Sequence, residues 1–294
     1  MLNNNSFEVI PKEAFEMADH VANNLIDKVC SVCGWIVQPK GKRSDKEEAV
    51  KSLIKEIQEN KNLDTLAKAA CISNARKILK EYCNQCDIMQ IALDNLNEDA
   101  KPEDLDDDWL DFFMDKAKNI SNKDVQIMFG KLLAEECNDG DVTKSLILKL
   151  TIMEKDLADA FNKLCEYVVK ACAGDDKGLV ALIPSTALDD LKKYHIDMKF
   201  NDFLELETAG LLKIDEFEYG YLSSELECEY QERKYKLTSK ADTKDQPFIK
   251  LGKIKLTTDG EILAKQISSV QSSVYFTMIK KYFEDNGVVV EEIG

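Results

Sequence analysis

Apolar residues recur every three or four positions along most of the first 172 residues, and beyond Gly178 that rhythm gives way to short extended runs. A period near 3.6 builds helices and a period of two builds strands. The chain is therefore expected to be mainly α with a smaller α+β part. The stretch Ala173-Gly-Asp-Asp-Lys-Gly178 separates the two textures and is the expected domain boundary. Three segments follow: helices over 1–97, a helical core over 98–173 packed on them, and an α+β domain over 179–294.

Within the first part, Phe15, Ala18, Ala22, Leu25, Ile26, Val29 and Cys33 predict a helix over 12–37, ended by Gly34 and Pro39. Ser44 or Asp45 opens a second, through Ala49, Leu53, Ile54 and Ile57. A third is expected over 62–96, with a break near Ser73-Asn74. Helices follow over 109–118, over 122–137 with Ser121 as cap, over 142–153 and over 155–172. Past Gly178, Leu179–Ile183 reads as a strand and Ser185 as the cap of a helix over 186–194. Asn201 or Asp202 caps a helix ended by Gly210. Strands are expected over 219–222, 234–237 and 249–256, then helices over 258–267 and 274–284 and a terminal strand over 288–293.

Charge excludes more than it assigns. Lys and Arg number 39 against 55 Asp and Glu, a net charge of −16. Such a chain is repelled by nucleic acid and by anionic membranes unless a local basic patch intervenes. One exists: residues 231–255 hold eight Lys or Arg and three acids, a local +5. A shorter basic stretch, Lys40-Gly-Lys-Arg-Ser-Asp-Lys46, reads as a solvated linker. No apolar run approaches the roughly 18–20 residues that a membrane-spanning helix needs. No basic start followed by an apolar core marks a leader, and a cytoplasmic location is expected.

Nine cysteines are an odd count, and a reducing cytoplasm is expected to keep most of them as thiols. Cys30-x-x-Cys33 and Cys83-x-x-Cys86 have the internal spacing of zinc pairs, but 49 residues separate them and both lie in helical patterns. They read as small buried hydrophobes first and as metal candidates second. The acidic stretch Glu98–Asp111 reads as a solvated loop whose last acid caps the helix opening at Trp109, with a divalent-cation site as the alternative. His20 and His195 fall in different domains. No phosphate-binding glycine loop, dinucleotide fingerprint or H-E-x-x-H is present. No catalytic residue and no cofactor is expected, although scattered carboxylates leave a metal site open.

Two resemblances sharpen this. The order of a helix leaving through Gly210-Leu-Leu, a long hairpin, and Leu256-Thr-Thr-Asp-Gly260 opening the next helix resembles a winged-helix module with an enlarged β wing. The block Asp108-Trp109-x-x-x-Phe113-x-x-x-Ala117-x-x-x-Ser121-x-x-x-x-Gln126-x-x-Phe129-Gly-Lys131-Leu-Leu-Ala-Glu135 resembles an uncharacterised bacterial domain-of-unknown-function family found in prophage and mobile loci. That resemblance continues in Ser145-Leu-Ile-Leu-Lys-Leu150 and Asp159-Ala-Phe161. Members carry a Pro and an Arg-Thr-Leu where this chain has Asp139-Gly-Asp141 and Lys144-Ser-Leu146. The family offers no catalytic residue to carry over.

Two functional readings follow. The first is a non-enzymatic cytoplasmic interaction protein, from a prophage or defence-related locus, that binds a protein partner or a second copy of itself. The alternative is a winged-helix DNA-binding regulator that contacts phosphates through Arg233, Lys234, Lys236, Lys250, Lys253 and Lys255. The helix over 201–210 carries Asp202, Glu205 and Glu207 and no Lys or Arg, which is poor equipment for reading bases. No membrane partner is expected.

Overall fold

The structure, a computed structural model, describes residues 20–33 and 43–293 apart from 175, 231, 241–247 and 268–271. The chain divides into two compact units, Met1–Thr151 and Ile152–Gly294. The first is helical. The second combines helices with two antiparallel sheets. The segment 173–178, expected as the domain boundary, lies inside the second unit, where Ala173 pairs with Asp176, Cys172 with Lys177 and Ala171 with Gly178.

In the first unit, α1 (His20–Cys33), α2 (Arg43–Glu59) and α3 (Thr65–Leu93) are followed by α4 (Asp107–Ala117), α5 (Lys123–Asn138) and α6 (Lys144–Ile152). The expected break near Ser73-Asn74 does not occur, and α3 is continuous from its cap, where Asp64 accepts from the Ala67 N–H at 2.8 Å. The parts of the expected first helix over 12–19 and 34–37 lie outside the described residues, as do Lys40 to Lys42.

The core of this unit forms where α1, α3, α4 and α5 meet. Trp109 stacks on Phe113 at 5.2 Å between centroids, and Phe113 meets Phe129 at 5.5 Å. Such pairs add about 0.5–1.5 kcal/mol beyond their buried area. The Trp109 indole donates to the Val142 carbonyl at 2.7 Å, so the ring is held at both ends. Helices α3 and α5 cross at Gly130. A Cβ there would fall 2.5 Å from Ile91 Cβ, which only glycine avoids. The turn into α5 is capped by Asn122, not Ser121, whose hydroxyl accepts from Asn84 instead. Gln126 is buried and donates to the Ile120 carbonyl at 2.7 Å and to Asn84 at 3.3 Å.

The second unit opens with α7 (Lys155–Cys165). The helix expected to reach residue 172 stops there, because the chain becomes β1 (Val168–Ala173) and pairs with β2 (Asp176–Ala181). Tyr167-Val-Val is a β-forming run. Two short 3₁₀ turns, Ser185–Ala187 and Leu191–Tyr194, replace the helix expected over 186–194. Then come α8 (Phe200–Thr208), β3 (Leu212–Tyr221), β4 (Glu225–Tyr230), β5 (Arg233–Ser239), β6 (Ile249–Leu256), α9 (Thr258–Lys265), α10 (Ser273–Asp285) and β7 (Val288–Glu292).

The expected long wing is not one hairpin. β3 pairs with β6, while β4 and β5, which lie between them in sequence, join a five-stranded sheet ordered β2-β1-β4-β5-β7. The inner face of that sheet carries Leu226, Cys228, Tyr230, Tyr235 and Leu237, all buried. Helix α10 covers it. Phe276 stacks on Tyr230 at 4.6 Å and touches Tyr235 at 4.5 Å, and Tyr275 meets Tyr167 edge-on at 4.7 Å. The buried Tyr275 hydroxyl donates to the Leu182 carbonyl. Antiparallel sheets packed on one side in this way leave the other face to water.

The base of the β3–β6 ladder is locked to its flanking helices. Thr257 donates its hydroxyl to the Gly210 carbonyl at 2.8 Å, its N–H bonds Leu211 O at 3.1 Å, and the same hydroxyl accepts from Gly260 N at 3.1 Å. A Cβ on Gly260 would lie 1.9 Å from Leu211 O. Gly260→Ala must therefore displace backbone, and it is expected to lower stability by about 1–3 kcal/mol. A thermal or denaturant melt showing no loss would mean that the lock is slack.

Candidate functional site

The basic residues expected to form one phosphate-binding wing are divided between two sheets. Arg233, Lys234 and Lys236 stand on β5, whereas Lys250, Lys253 and Lys255 stand on β6. Strand β5 lies between two acidic neighbours. Lys234 faces Glu229, and Lys236 faces Glu227 on one side and Glu291 on the other. Lys236 Nζ pairs with Glu225 at 2.9 Å and Arg233 with Glu292 at 3.4 Å. Alternating signs across strands stabilise a solvent-facing sheet. They also neutralise the charge that would attract phosphate. Lys240 follows β5, and Lys244, Asp242 and Asp245 lie outside the described residues. Among the described residues, one cross-strand basic pair of β3 and β6 has no acid paired with it: Lys213 and Lys255 are directly opposite each other and exposed.

The acids of α8 are engaged locally. Asp202 accepts from Lys199 N at 2.8 Å, Glu205 from Asn201 at 2.5 Å, and Glu207 from Ile214 N at 2.7 Å. They fasten the helix ends and the entry to β3.

The cysteine candidates sit on α1 (Cys30, Cys33) and α3 (Cys83, Cys86), all half-buried. Burial, followed by the negative charge of Asp111 and of Cys30, pushes the Cys33 thiol up to about 11. Among the described residues no three His, Cys, Asp or Glu converge as a metal site. In the acidic stretch, Asp106 caps α4 by accepting from Trp109 N at 2.7 Å, and Asp107 pairs with Lys28 at 2.6 Å. His20 is exposed beside Asn24, and His195 ends a 3₁₀ turn in the left-handed region with φ 56°.

A different feature stands out in the second unit. Ile214 of β3 is opposite Ile254 of β6, and the next matched pair is Tyr219 with Gly252. Four residues, Asp215-Glu-Phe-Glu218, thus stand against the single Lys253. The excess bulges outward. Phe217 at its crest is 80% exposed. Glu218 turns back: it accepts from the Ser185 hydroxyl at 2.5 Å and pairs with Lys250 at 2.9 Å. Partial burial raises the Glu218 carboxyl, but the Ser185 and Lys250 hydrogen bonds and the charges of Lys250 and Lys253 outweigh it, leaving it below its usual range.

An open cleft of about 740 Å³ lies under this bulge. Leu188, Phe200, Ile214 and Phe217 supply its apolar surface, Asp189, Asp215 and Glu216 its acidic rim, and Lys250 and Lys253 also line it. Open on one side, it suits a chain segment better than a small molecule, which clefts usually enclose. One sequence signal pointed here. Ile214 and Tyr219 are both partly buried yet an odd number of residues apart, which strict alternation does not allow on one face.

The fold and site define a mainly α protein whose second unit adds an antiparallel α+β part with a charged outer sheet and an open cleft. The chain belongs to the family described as "Protein of unknown function (DUF2806)", whose model matches residues 71–280. Searches of curated proteins and of solved structures give no significant match. Among the described residues no helix is long and apolar enough to cross a membrane.

The anchoring of the bulge is pH-dependent. The Glu218 carboxyl is depressed in the fold, so its contribution is present at neutral pH and is lost as pH falls through its folded pKa. Glu218→Gln at neutral pH is expected to speed amide exchange over 214–219 about two- to fivefold, the scale of a partly exposed ion pair. Unchanged exchange would show that the bulge holds its shape without this pair.

Proposed function

We propose that the chain is a non-enzymatic, cytoplasmic interaction protein that binds a protein partner, of the kind carried in prophage and other mobile loci. The observation that carries this reading is the pairing of a neutralised basic strand with an aromatic held in solvent. The cations on β5 are matched by acids on β4 and β7. Meanwhile the bulge of β3 holds Phe217 out over a cleft with further apolar surface. Exposing a large aromatic is unfavourable in isolation and is common where a partner covers it.

The segment from Ile183 to Lys265 supports a winged-helix plan. Two 3₁₀ turns and α8 would stand for the paired helices, β3 and β6 for the wing, and β4–β5 for an insertion that enlarges it. Winged-helix modules serve as protein contacts as well as DNA readers, so the plan does not choose between them. The alternative, a DNA-binding regulator, finds its best support in the exposed Lys213–Lys255 pair. Two lysines give little affinity where the helix that should enter the groove presents Asp202, Glu205 and Glu207.

The class of partner is tested by a photo-reactive phenylalanine analogue placed at position 217 and irradiated in cells. The expected result is discrete adducts that survive nuclease and disappear on proteolysis. Adducts removed by nuclease, or none at all, would contradict the proposal.

A further inference from the structure

We infer that the cleft under the β3 bulge takes an extended, cationic segment of another protein, seated with one bulky apolar side chain against Phe200 and Phe217. This deepens the interaction reading and rests on it. Three observations converge on the chemistry of the occupant.

The first is charge. Glu218 is occupied by Lys250 and Ser185. Among the described residues, Asp189, Asp215 and Glu216 are in no ion pair, and all three line the cleft. Lys253 also lines the cleft, so three acids stand against one lysine beyond the Glu218–Lys250 pair, and the rim is net negative within a chain of net −16. A second copy of the chain would bring the same overall sign, whereas a Lys- or Arg-rich segment is attracted both at long range and at contact.

The second is apolar surface at the same place. Phe217 is 80% exposed and Phe200 46% exposed. Both belong to the cleft lining, together with Ile214 and Leu188. A purely ionic ligand would leave these groups in water. One aliphatic or aromatic anchor flanked by cations would cover them.

The third is backbone. Residues 215–218 have no cross-strand partner on β6, where only Lys253 stands opposite. Strand backbone without a ladder is a template for an added extended segment, which gains main-chain hydrogen bonds regardless of its sequence. Side-chain contacts then set the preference: cations toward Asp189, Asp215 and Glu216, and the anchor toward the two phenylalanines.

The test uses the full chain and short synthetic peptides, followed by fluorescence anisotropy. The probe alternates Lys or Arg with small polar residues around one central Phe. Saturable binding is expected for this peptide, at least tenfold weaker binding when its cations are replaced by Glu, and a similar loss when its Phe is replaced by Ala. On the protein side, Phe217→Ala should weaken binding at least tenfold. Asp215→Asn with Glu216→Gln should weaken it about three- to tenfold, as for two exposed ion pairs. Both sites are solvent-facing, so circular dichroism should show the variants folded. Equal binding of the acidic peptide, indifference to the Asp215/Glu216 change, or no saturable binding would overturn the inference. Its failure is separable from failure of the interaction reading. Protein adducts at position 217 with no cation preference defeat the first alone, while nucleic-acid adducts defeat the second.

Discussion

The second unit depends on a mismatch in length between two paired strands. Between the pairs Ile214–Ile254 and Tyr219–Gly252, β3 holds four residues and β6 holds one. The shorter strand can stay in register only because Gly252 occupies φ 141°, where a Cβ would lie 1.8 Å from the Ile183 carbonyl oxygen. No other residue fits that approach. The longer strand must bow outward, and the position of the excess decides which side chain leaves the protein. Phe217 goes out. Glu218 comes back to Ser185 and Lys250, and Tyr219 sends its hydroxyl to the Ala181 carbonyl at 2.8 Å. The cleft follows from that bow, with Phe200 of α8 and the 3₁₀ turn Ser185–Ala187 with the residues after it forming its other wall.

Charge placement follows a second rule, set by sheet order. In sequence, residues 231–255 form the longer of two basic stretches in an acidic chain. In space, β5 is inserted between β4 and β7, whose Glu225, Glu227, Glu229, Glu291 and Glu292 share its outer face or its edge. Exposed pairs of this sort contribute little stability singly, about 0–1 kcal/mol. Their larger effect is on recognition, because a row of alternating signs presents no net field to a phosphate backbone.

Most of the helical unit could be read from the spacing of apolar residues. Trp109, Phe113, Phe129 and Leu132 are buried as the 3.6 rhythm required. Its errors were local: Asn122 took the capping role expected of Ser121, and α3 ran through Ser73-Asn74 without a break. Errors in the second unit were larger because they concern pairing. Val168 and Val169 continue an apolar rhythm that suits a helix equally well, and only the partner β2 makes them a strand. That β4 and β5 join a different sheet from β3 and β6 is non-local information, absent from any window of sequence. The Gly210-Leu-Leu and Leu256-Thr-x-x-Gly260 signatures read only as the order of a winged-helix module; in the structure the two meet through Thr257 and Gly260. The cleft itself was missed, since a bulge shows only as one odd separation between Ile214 and Tyr219.

The central claim is that this chain meets protein and not nucleic acid. The most direct measurement is titration of labelled DNA duplexes of varied sequence with the full chain at near-physiological salt. The account predicts at most weak association, lost as salt rises because few phosphates can be neutralised. Tight binding that discriminates among sequences, and that persists in Lys253→Glu and Lys255→Glu variants, would contradict it.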